Sequence, residues 1–238
     1  MLDKQKHNLF MGRILEDIYS DTFLSTILGF KGGTCAFIFY NLSRFSVDLD
    51  FDLFTQDEEI YKQVLEKIKI IAEKYGEVKD SAIKRYTIFT LLSYGKGEHT
   101  IKIEINTRSG ASNIRDFYEL REHLGIPMMI QKKDYMFAKK LSALVSRTDI
   151  AMRDVYDIWY FANNNWDIDS DIIETVTGKN AIEYLGDCTR LIEGIKDNEI
   201  LQGLAELLYT EKDKMWAKTN LRKEVIFLLK NYQLALQK

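Results

Sequence analysis

Strict alternation of apolar and polar residues predicts a β-strand over Ser46–Phe54. Four apolar residues share one face of this strand, and three aspartates share the other. The apolar residues are Val47, Leu49, Phe51 and Leu53, and the aspartates are Asp48, Asp50 and Asp52. The period of two predicts a strand with one face in the core and one charged face.

Helical spacing of apolar residues surrounds this strand. The segments predicted as helical are Leu9–Leu28 (one or two helices), Lys31–Leu42 and Asp57–Tyr75. Asp57 caps the last of these, and Gly76 closes it. Two more strands, Lys84–Tyr94 and His99–Asn106, flank the turn Gly95-Lys96-Gly97.

From Ile114 onward the spacing predicts helices almost throughout. The clearest segments are Asp134–Ser146, Ala151–Asn163 and several stretches between Asp167 and Lys238. We therefore expect an α+β fold, with a small mixed-sheet core over residues 1–115 and a helical domain over residues 116–238. The single proline, Pro127, lies near the junction.

Composition places the chain among globular proteins. Its 238 residues are 46% hydrophobic and 29% charged, a composition that excludes disordered, collagen-like and coiled-coil classes. The 33 Lys and Arg against 36 Asp and Glu give a net charge of −3. Two cysteines form no disulfide framework, and the N-terminus lacks the apolar run of a signal peptide, so we expect a reducing cytoplasm and no membrane. Residues 211–238 include seven basic and three acidic residues. This basic excess indicates either a surface that contacts phosphates or an ordinary solvated helix face.

The aspartates of the first strand suggest a metal site. Alternate strand residues lie about 6.6 Å apart on one face, so Asp48 and Asp50 can converge on one cation. Aspartate is disfavoured in strands and like charges repel, and a divalent ion removes both objections. Oxygen ligands favour Mg²⁺ or Mn²⁺. The alternative is a half-exposed edge strand with a polar face.

A third carboxylate is available from the strand His99–Asn106, in which Lys102 and Glu104 share the polar face. Glu104 would complete a set of three metal ligands with Asp48 and Asp50. Three carboxylates that hold two metal ions suit an in-line displacement at phosphorus. The alternative is a solvent-facing strand residue.

The helix Lys31–Leu42 opens with Lys31-Gly32-Gly33-Thr34. Glycines allow a triphosphate to approach the backbone, and a helix N-terminus favours negative charge. Thr34 would add a hydroxyl donor. The alternative is an ordinary turn. Arg44, just before the strand of aspartates, either holds phosphate or pairs with one of those aspartates.

One lysine of the helix Asp134–Ser146 is predicted to lie at the buried face. The i±3 and i±4 neighbours of Lys140 are all apolar, whereas Lys139 has a serine among them and should be more exposed. Lys140 therefore needs an anionic partner, either a carboxylate or a nucleotide phosphate. The alternative is that only its aliphatic stem is buried and its ammonium reaches solvent. In the next helix, Asp154 and Asp157 share a face. Asp157 either pairs with Lys140 or Arg153 or works as a base.

In their order and spacing, four motifs resemble the AbiEii/AbiGii toxin family. They are Gly32-Gly33-Thr34, Arg44-Phe45-Ser46-Val47-Asp48-Leu49-Asp50, Lys140-Leu141-Ser142-Ala143-Leu144 and Arg153-Asp154-Val155-Tyr156-Asp157. The resemblance spans about residues 25–165, and the rest matches only as further helices. These proteins are DNA-polymerase-β-like nucleotidyltransferases of type IV toxin–antitoxin and phage-abortive systems.

The resemblance implies roles for the matching residues. It implies that Gly33 and Thr34 bind the NTP phosphates and that Asp48 and Asp50 hold Mg²⁺. It also implies that Lys140 contacts the triphosphate and that Asp157, in preference to Asp154, completes the site. Related toxins transfer a nucleotide, in some cases to the 3′ end of tRNA, and a partner antitoxin neutralises them. Ala36 stands where the family usually has a larger aliphatic residue, and Glu104 is not a firm family feature.

The hypothesis is thus a Mg²⁺- or Mn²⁺-dependent transfer of NMP from an NTP to an acceptor hydroxyl. Its catalytic candidates are Asp48, Asp50, Lys140, Asp157 and Glu104, its metal ligands Asp48, Asp50 and Glu104, and its nucleotide-binding candidates Gly32, Gly33, Thr34, Lys31, Arg44 and Ser46. Asp50 or Glu104 is the expected base for the acceptor hydroxyl. Expected partners are an antitoxin protein and a tRNA or other RNA acceptor. The alternatives are an inactive nucleotide-binding module and a Mg²⁺-dependent phosphohydrolase.

Overall fold

The computed structural model describes residues 2–108, 113–146 and 149–237. The chain divides into two compact units. The first consists of Met1–Asn41 and Phe45–Lys132, and the second of Leu42–Arg44 and Lys133–Lys238. The short segment Leu42–Arg44 thus packs with the second unit, although its neighbours in sequence belong to the first.

Within the described residues, the first unit is built on a seven-stranded mixed sheet. Its strands are β1 (Leu28–Lys31), β2 (Leu49–Leu53), β3 (Glu77–Lys84), β4 (Thr87–Ser93), β5 (Thr100–Asn106), β6 (Tyr118–His123) and β7 (Ile126–Gln131). They lie in the order β3-β4-β5-β2-β1-β7-β6. Strand β2 runs antiparallel to β1 and parallel to β5, and β1 runs parallel to β7. The side chains of β2 therefore stand between those of β1 and β5.

The predicted alternation along β2 is confirmed. Leu49 and Phe51 are fully buried and Leu53 is 4% exposed, so they belong to the core, and the aspartates project from the opposite face. Regular pairing begins at Leu49, which leaves Ser46 and Asp48 in the extended segment before the strand.

Helices α1 (Lys4–Ser20), α2 (Thr22–Ile27), α3 (Gly32–Tyr40) and α4 (Glu58–Glu73) belong to the first unit. The Asp57 carboxylate accepts a hydrogen bond from the Glu59 N–H at 2.9 Å and caps α4, as predicted. Helix α3 begins at the residue after β1 and ends at Asn41, which is left-handed with φ 57°. The glycine-rich helix start is thereby placed at the end of a strand beside β2.

The prediction of helices directly after Ile114 is wrong. A 3-10 turn, Ile114–Phe117, is followed by the hairpin β6–β7, which turns at Leu124 and Gly125 with φ values of 52° and 81°. Positive φ at both central residues is the geometry of a tight hairpin turn. Because this hairpin pairs with β1, the first unit continues to Lys132, past the expected boundary at residue 115. The edge strand β3 was also not predicted, since both of its faces are largely polar.

The second unit is helical within the described residues. Its helices are α5 (Lys133–Ser146), α6 (Met152–Asn163), α7 (Ser170–Thr177), α8 (Ala181–Glu193) and α9 (Glu211–Ala235). Helix α9 carries most of the basic C-terminal segment, and Lys238 lies outside the described residues. Among the residues that the structure describes, no helix is long and apolar enough to cross a membrane.

Candidate active site

The charged face of the sheet centres on β2. In the strand register, Asp50 lies between Lys31 of β1 and Glu104 of β5. Two residues further along, Asp52 lies between Gly29 and Asn106. The sheet therefore brings three of the predicted site residues, Lys31, Asp50 and Glu104, into one row.

The start of α3 approaches this row closely. Gly32 has φ 78°, and a Cβ added to it would lie 2.6 Å from Oδ2 of Asp50. A side chain at position 32 would thus collide with the carboxylate and would also strain the backbone. The first N–H groups of a helix have no intrahelical acceptor and carry partial positive charge. Gly32 consequently permits a carboxylate of β2 and a helix N-terminus to meet at contact distance.

Thr34 and Ser46 tie α3 to the segment before β2. The Thr34 hydroxyl donates a hydrogen bond to the main-chain carbonyl of Asp48 and lies 2.9 Å from the Ser46 hydroxyl. Thr34 is fully buried and Ser46 is 8% exposed. In this structure both hydroxyls fix the helix start relative to Asp48, and the Thr34 hydroxyl, expected as a donor to phosphate, bonds to protein atoms.

Lys102 lies among the carboxylates. Its ammonium is 2.9 Å from Oε2 of Glu104 and 3.6 Å from Oδ2 of Asp48. Burial alone would lower the pKa of Lys102, but the charges of Asp48 and Glu104 outweigh burial and raise that pKa. The lysine therefore stays protonated and partly neutralises this face.

Asp50 differs electrostatically from the carboxylates around it. Burial raises its pKa, the ammonium of Lys31 opposes that change, and the negative charges of Asp48 and Glu104 reinforce it. A buried carboxylate beside two others gains from any cation that approaches. A counter-charge near Asp50 would therefore be favourable.

The carboxylates offer the hard oxygen donors that Mg²⁺ takes. Across the described ranges 2–108, 113–146 and 149–237, however, no three His, Cys, Asp or Glu side chains form a group arranged to hold a metal. On this face the Lys102 ammonium lies against both Asp48 and Glu104. Asp48 and Asp50 supply oxygen donors of the kind a divalent ion takes, and the Glu104 carboxylate is paired with the lysine.

Asp52 carries a contact set that the sequence analysis did not anticipate. Its Oδ1 accepts hydrogen bonds from Lys31 Nζ at 2.5 Å and from Asn106 Nδ2 at 2.7 Å. Its Oδ2 accepts one from the Tyr118 hydroxyl at 2.6 Å. Burial would raise the pKa of Asp52, but Lys31 and these hydrogen bonds lower it. The third aspartate of the alternating strand was the only sequence signal for this arrangement.

In the second unit, four buried charges form one cluster. Arg44 binds Asp157 through two parallel hydrogen bonds, Nε to Oδ1 at 2.6 Å and Nη2 to Oδ2 at 2.7 Å. The Lys140 ammonium lies 2.7 Å from Oδ1 of Asp154 and 2.9 Å from Oδ2 of Asp157. Side-chain exposure is 16% for Lys140 and 3% or less for the others. Two cations and two anions thus compensate one another out of water.

This cluster decides between the alternatives left open for its members. Burial alone would lower the pKa of both Arg44 and Lys140, but the charge of Asp157 outweighs burial and raises both pKa values. Arg44 pairs with an aspartate of α6 and not with one of β2. Being 2% exposed, it supports Asp157 instead of offering donors to a phosphate. The prediction that Lys140 is buried with anionic partners and Lys139 is exposed is confirmed.

The sequence was compared with protein families. The model of the AbiEii nucleotidyl transferase toxin of type IV toxin–antitoxin systems matches residues 13–224. The chain belongs to the AbiEii family. It is accordingly a nucleotidyltransferase of the toxin class, and an NTP substrate, a divalent metal ion and an antitoxin partner are general features of this family. The comparison with curated protein sequences finds no match.

Solved structures share the fold. A Helicobacter pylori protein described as a nucleotidyltransferase is 21% identical with a TM-score of 0.65, over 98% of this chain and 96% of that one. JHP933 of Helicobacter pylori is 17% identical with a TM-score of 0.57, over 100% and 98%. MenT4 (Rv2826c), a nucleotidyltransferase toxin of Mycobacterium tuberculosis, is 19% identical with a TM-score of 0.51, over 92% and 82%. These likenesses confirm the α+β nucleotidyltransferase fold of this AbiEii protein.

Proposed function

We propose that this AbiEii protein transfers the NMP moiety of an NTP to a hydroxyl of an RNA acceptor, with the 3′ end of tRNA as the first candidate, and that it depends on Mg²⁺. The acceptor hydroxyl attacks the α-phosphorus, the new phosphodiester bond forms, and pyrophosphate leaves with the electrons of the broken P–O bond. The growth arrest caused by such a transfer would serve phage defence.

The approach of Gly32 to Asp50 is the observation that carries the proposal. A polyanionic nucleotide needs donors for its phosphates, and the transferred phosphorus needs carboxylates that can recruit a metal ion nearby. The α3 N-terminus supplies the first and Asp50 the second, and the missing Cβ of Gly32 allows them to touch. The alternative of a phosphohydrolase calls for a nucleophilic aspartate but not for a cradle that takes a triphosphate.

We assign the roles as follows. Asp48 and Asp50 hold Mg²⁺, which when bound would neutralise charge on the phosphates. The N–H groups of Gly32 and Gly33 bind the phosphates, and Lys31 adds positive charge beside them. Asp50 is assigned as the base for the acceptor hydroxyl in preference to Glu104, because the Glu104 carboxylate is already paired with the Lys102 ammonium.

The remaining candidates are Lys140 and three residues whose polar groups are bonded within the protein. Lys140 as a triphosphate contact rests on the family resemblance alone, since its partners here are Asp154 and Asp157. Thr34, Ser46 and Arg44 are assigned to holding the site in shape, because their polar groups bond to protein atoms.

Label transfer tests the proposal. Purified protein, Mg²⁺ and each α-labelled NTP are incubated with total tRNA, and label on tRNA is measured. We expect transfer from at least one NTP, none from Asp48→Asn, and unchanged transfer from Asp80→Asn, which makes the same substitution at an exposed position of β3. Metal-dependent NTP binding without transfer of label to tRNA would contradict the proposal that RNA is the acceptor. The absence of both NTP binding and nucleotide transfer would favour an inactive module.

A further inference from the structure

Asp52 has its carboxylate removed from water and both of its oxygens occupied. It is 2% exposed and accepts hydrogen bonds from Lys31, Asn106 and Tyr118. Isolated burial of a carboxylate is costly, and three donors, one of them charged, offset that cost. With its oxygens committed in this way, Asp52 is not placed as a third metal ligand beside Asp48 and Asp50.

The sheet is adapted to this arrangement. Gly29 lies opposite Asp52 on β1, and a Cβ added there would lie 2.4 Å from Cε1 of Tyr118. The Tyr118 ring therefore lies directly over the Gly29 backbone, and it also packs edge-on against Phe54 with ring centroids 5.0 Å apart. The missing side chain at position 29 lets the tyrosine hydroxyl reach Asp52.

Lys31 is the one charged donor of this set, and its position connects Asp52 to the nucleotide site. It is the last residue of β1 and directly precedes Gly32, where α3 begins. Its side chain is 23% exposed, so the ammonium retains access to solvent while Asp52 holds it. A lysine side chain loses rotamer entropy when it is fixed, and a buried carboxylate that fixes it removes that cost before any ligand binds.

We propose that Asp52 is a positioning residue that holds the Lys31 ammonium on the charged face of the sheet, where it meets the phosphates of an NTP bound at the start of α3. The inference rests on the proposed function, because it takes α3 as the phosphate-binding element. Asp52 acts through Lys31 and touches neither the substrate nor the metal.

A double-mutant cycle in the label-transfer assay tests the link to the nucleotide. Asp52→Asn keeps the shape of the side chain and removes its charge. We expect it to raise KM for the NTP about tenfold, the size of one charge-assisted hydrogen bond, with a smaller change in kcat. In the Lys31→Met background the same substitution should have no further effect on KM. An equal rise in both backgrounds would overturn the proposal.

Amine labelling of the free protein tests the grip on Lys31 without any activity. An amine-reactive reagent is applied, and modification of Lys31 is followed by peptide mass spectrometry. We expect several-fold faster modification in Asp52→Asn than in wild type. Lys62, which lies on α4 with its side chain 65% exposed, should react equally in both proteins and serves as the internal reference. An unchanged Lys31 rate would overturn the proposal.

Tyr118→Phe guards against a purely structural explanation. It removes the bond to Oδ2 and leaves the Lys31 bond to Oδ1 in place, so it should lower thermal stability but leave both KM and the Lys31 labelling rate near wild type. A KM defect equal to that of Asp52→Asn would overturn the proposal. Wild-type protein that binds no NTP contradicts the proposed function itself, and the labelling result then still reports whether Asp52 holds Lys31.

Discussion

The Cα of Gly32 is so close to Asp50 that a methyl group on it would lie 2.6 Å from the carboxylate oxygen. This contact joins the helix that begins at position 32 to the metal-binding candidate of β2. It requires the glycine twice, once for space and once for its φ of 78°.

We expect Gly32→Ala to reduce nucleotide transfer by about 10²-fold, the cost of displacing a catalytic group by roughly 1 Å. Two matched substitutions separate the causes. Gly97 has φ 79° with open space around it, so Gly97→Ala should cost only about 1 kcal/mol of stability. Gly12 lies in α1 with open space, and Gly12→Ala should stabilise by about 0.5–1 kcal/mol. Full activity in Gly32→Ala would contradict the role of the contact.

The cluster around Asp157 predicts a structural defect. Asp157→Ala leaves Arg44 and Lys140 buried without their shared carboxylate, and we expect a loss of about 3–5 kcal/mol in the free energy of unfolding in urea. The control is Asp197→Ala, which removes a carboxylate with 79% exposure from its pair with Arg222 and should cost under about 0.5 kcal/mol. Unchanged stability together with lost activity would assign Asp157 to catalysis alone.

The two adjacent lysines of α5 should behave differently. Lys140→Met leaves Asp154 and Asp157 with less compensation, so it should destabilise the protein by about 3 kcal/mol, whereas Lys139→Met on the exposed face should change stability by under about 0.5 kcal/mol. Addition of Asp154→Asn to Lys140→Met should restore part of the loss, because it removes a buried negative charge from a site that has lost the Lys140 ammonium. An equal effect of the two lysines in urea unfolding would refute the predicted helix face.

We expect Lys102 to compete with metal ions for Asp48, which precedes β2, and for Glu104 of β5. We expect Lys102→Met to bind Mn²⁺ about tenfold more tightly, since removal of an ammonium within 4 Å of Asp48 and Glu104 frees both. Electron paramagnetic resonance of free Mn²⁺ measures this in the absence of nucleotide. Lys62→Met on α4, which pairs with Glu59, should leave the affinity unchanged. Weaker Mn²⁺ binding in Lys102→Met would contradict the competition.

His7 predicts a dependence of stability on pH. It is fully buried, with Nδ1 2.8 Å from the Tyr94 hydroxyl and Nε2 2.9 Å from the Val47 carbonyl. Since the carbonyl only accepts, Nε2 carries the proton and neutral Nδ1 accepts from Tyr94. Burial lowers the pKa of His7, and the neighbouring His99 lowers it further. The hydrogen bond to Val47 and the charge of Asp48 raise the pKa but do not outweigh burial.

The unfolded chain therefore binds a proton at this histidine before the folded protein does. Stability should decline as the pH falls below about 6.5, the ordinary pKa of histidine. His7→Gln removes the titration, and its urea midpoint should change less between pH 7.5 and pH 5.5 than that of wild type. An equal decline in both proteins would show that other groups cause it.

Local sequence patterns were enough for much of the fold. The alternation that defines β2, the glycine start of α3, the Asp57 cap of α4 and the apolar neighbours of Lys140 depend on residues within one or two turns of each other, and each was predicted. The β6–β7 hairpin was missed because strand β7 pairs with β1, a partner distant in sequence, and β6 is held through β7. The family followed from the order and spacing of its motifs.

The sequence by itself determined which residues carry charge on one face of a strand and which helix begins with glycines, because period and propensity are local properties. Only the tertiary structure decided which charges meet. Arg44 binds Asp157, which lies 113 positions away in the sequence. Strand register places Lys102 against both Asp48 and Glu104. Asp52 on β2 pairs with Lys31 on the neighbouring strand β1. Electrostatic partners depend on distance in space, which the order of residues along the chain does not specify.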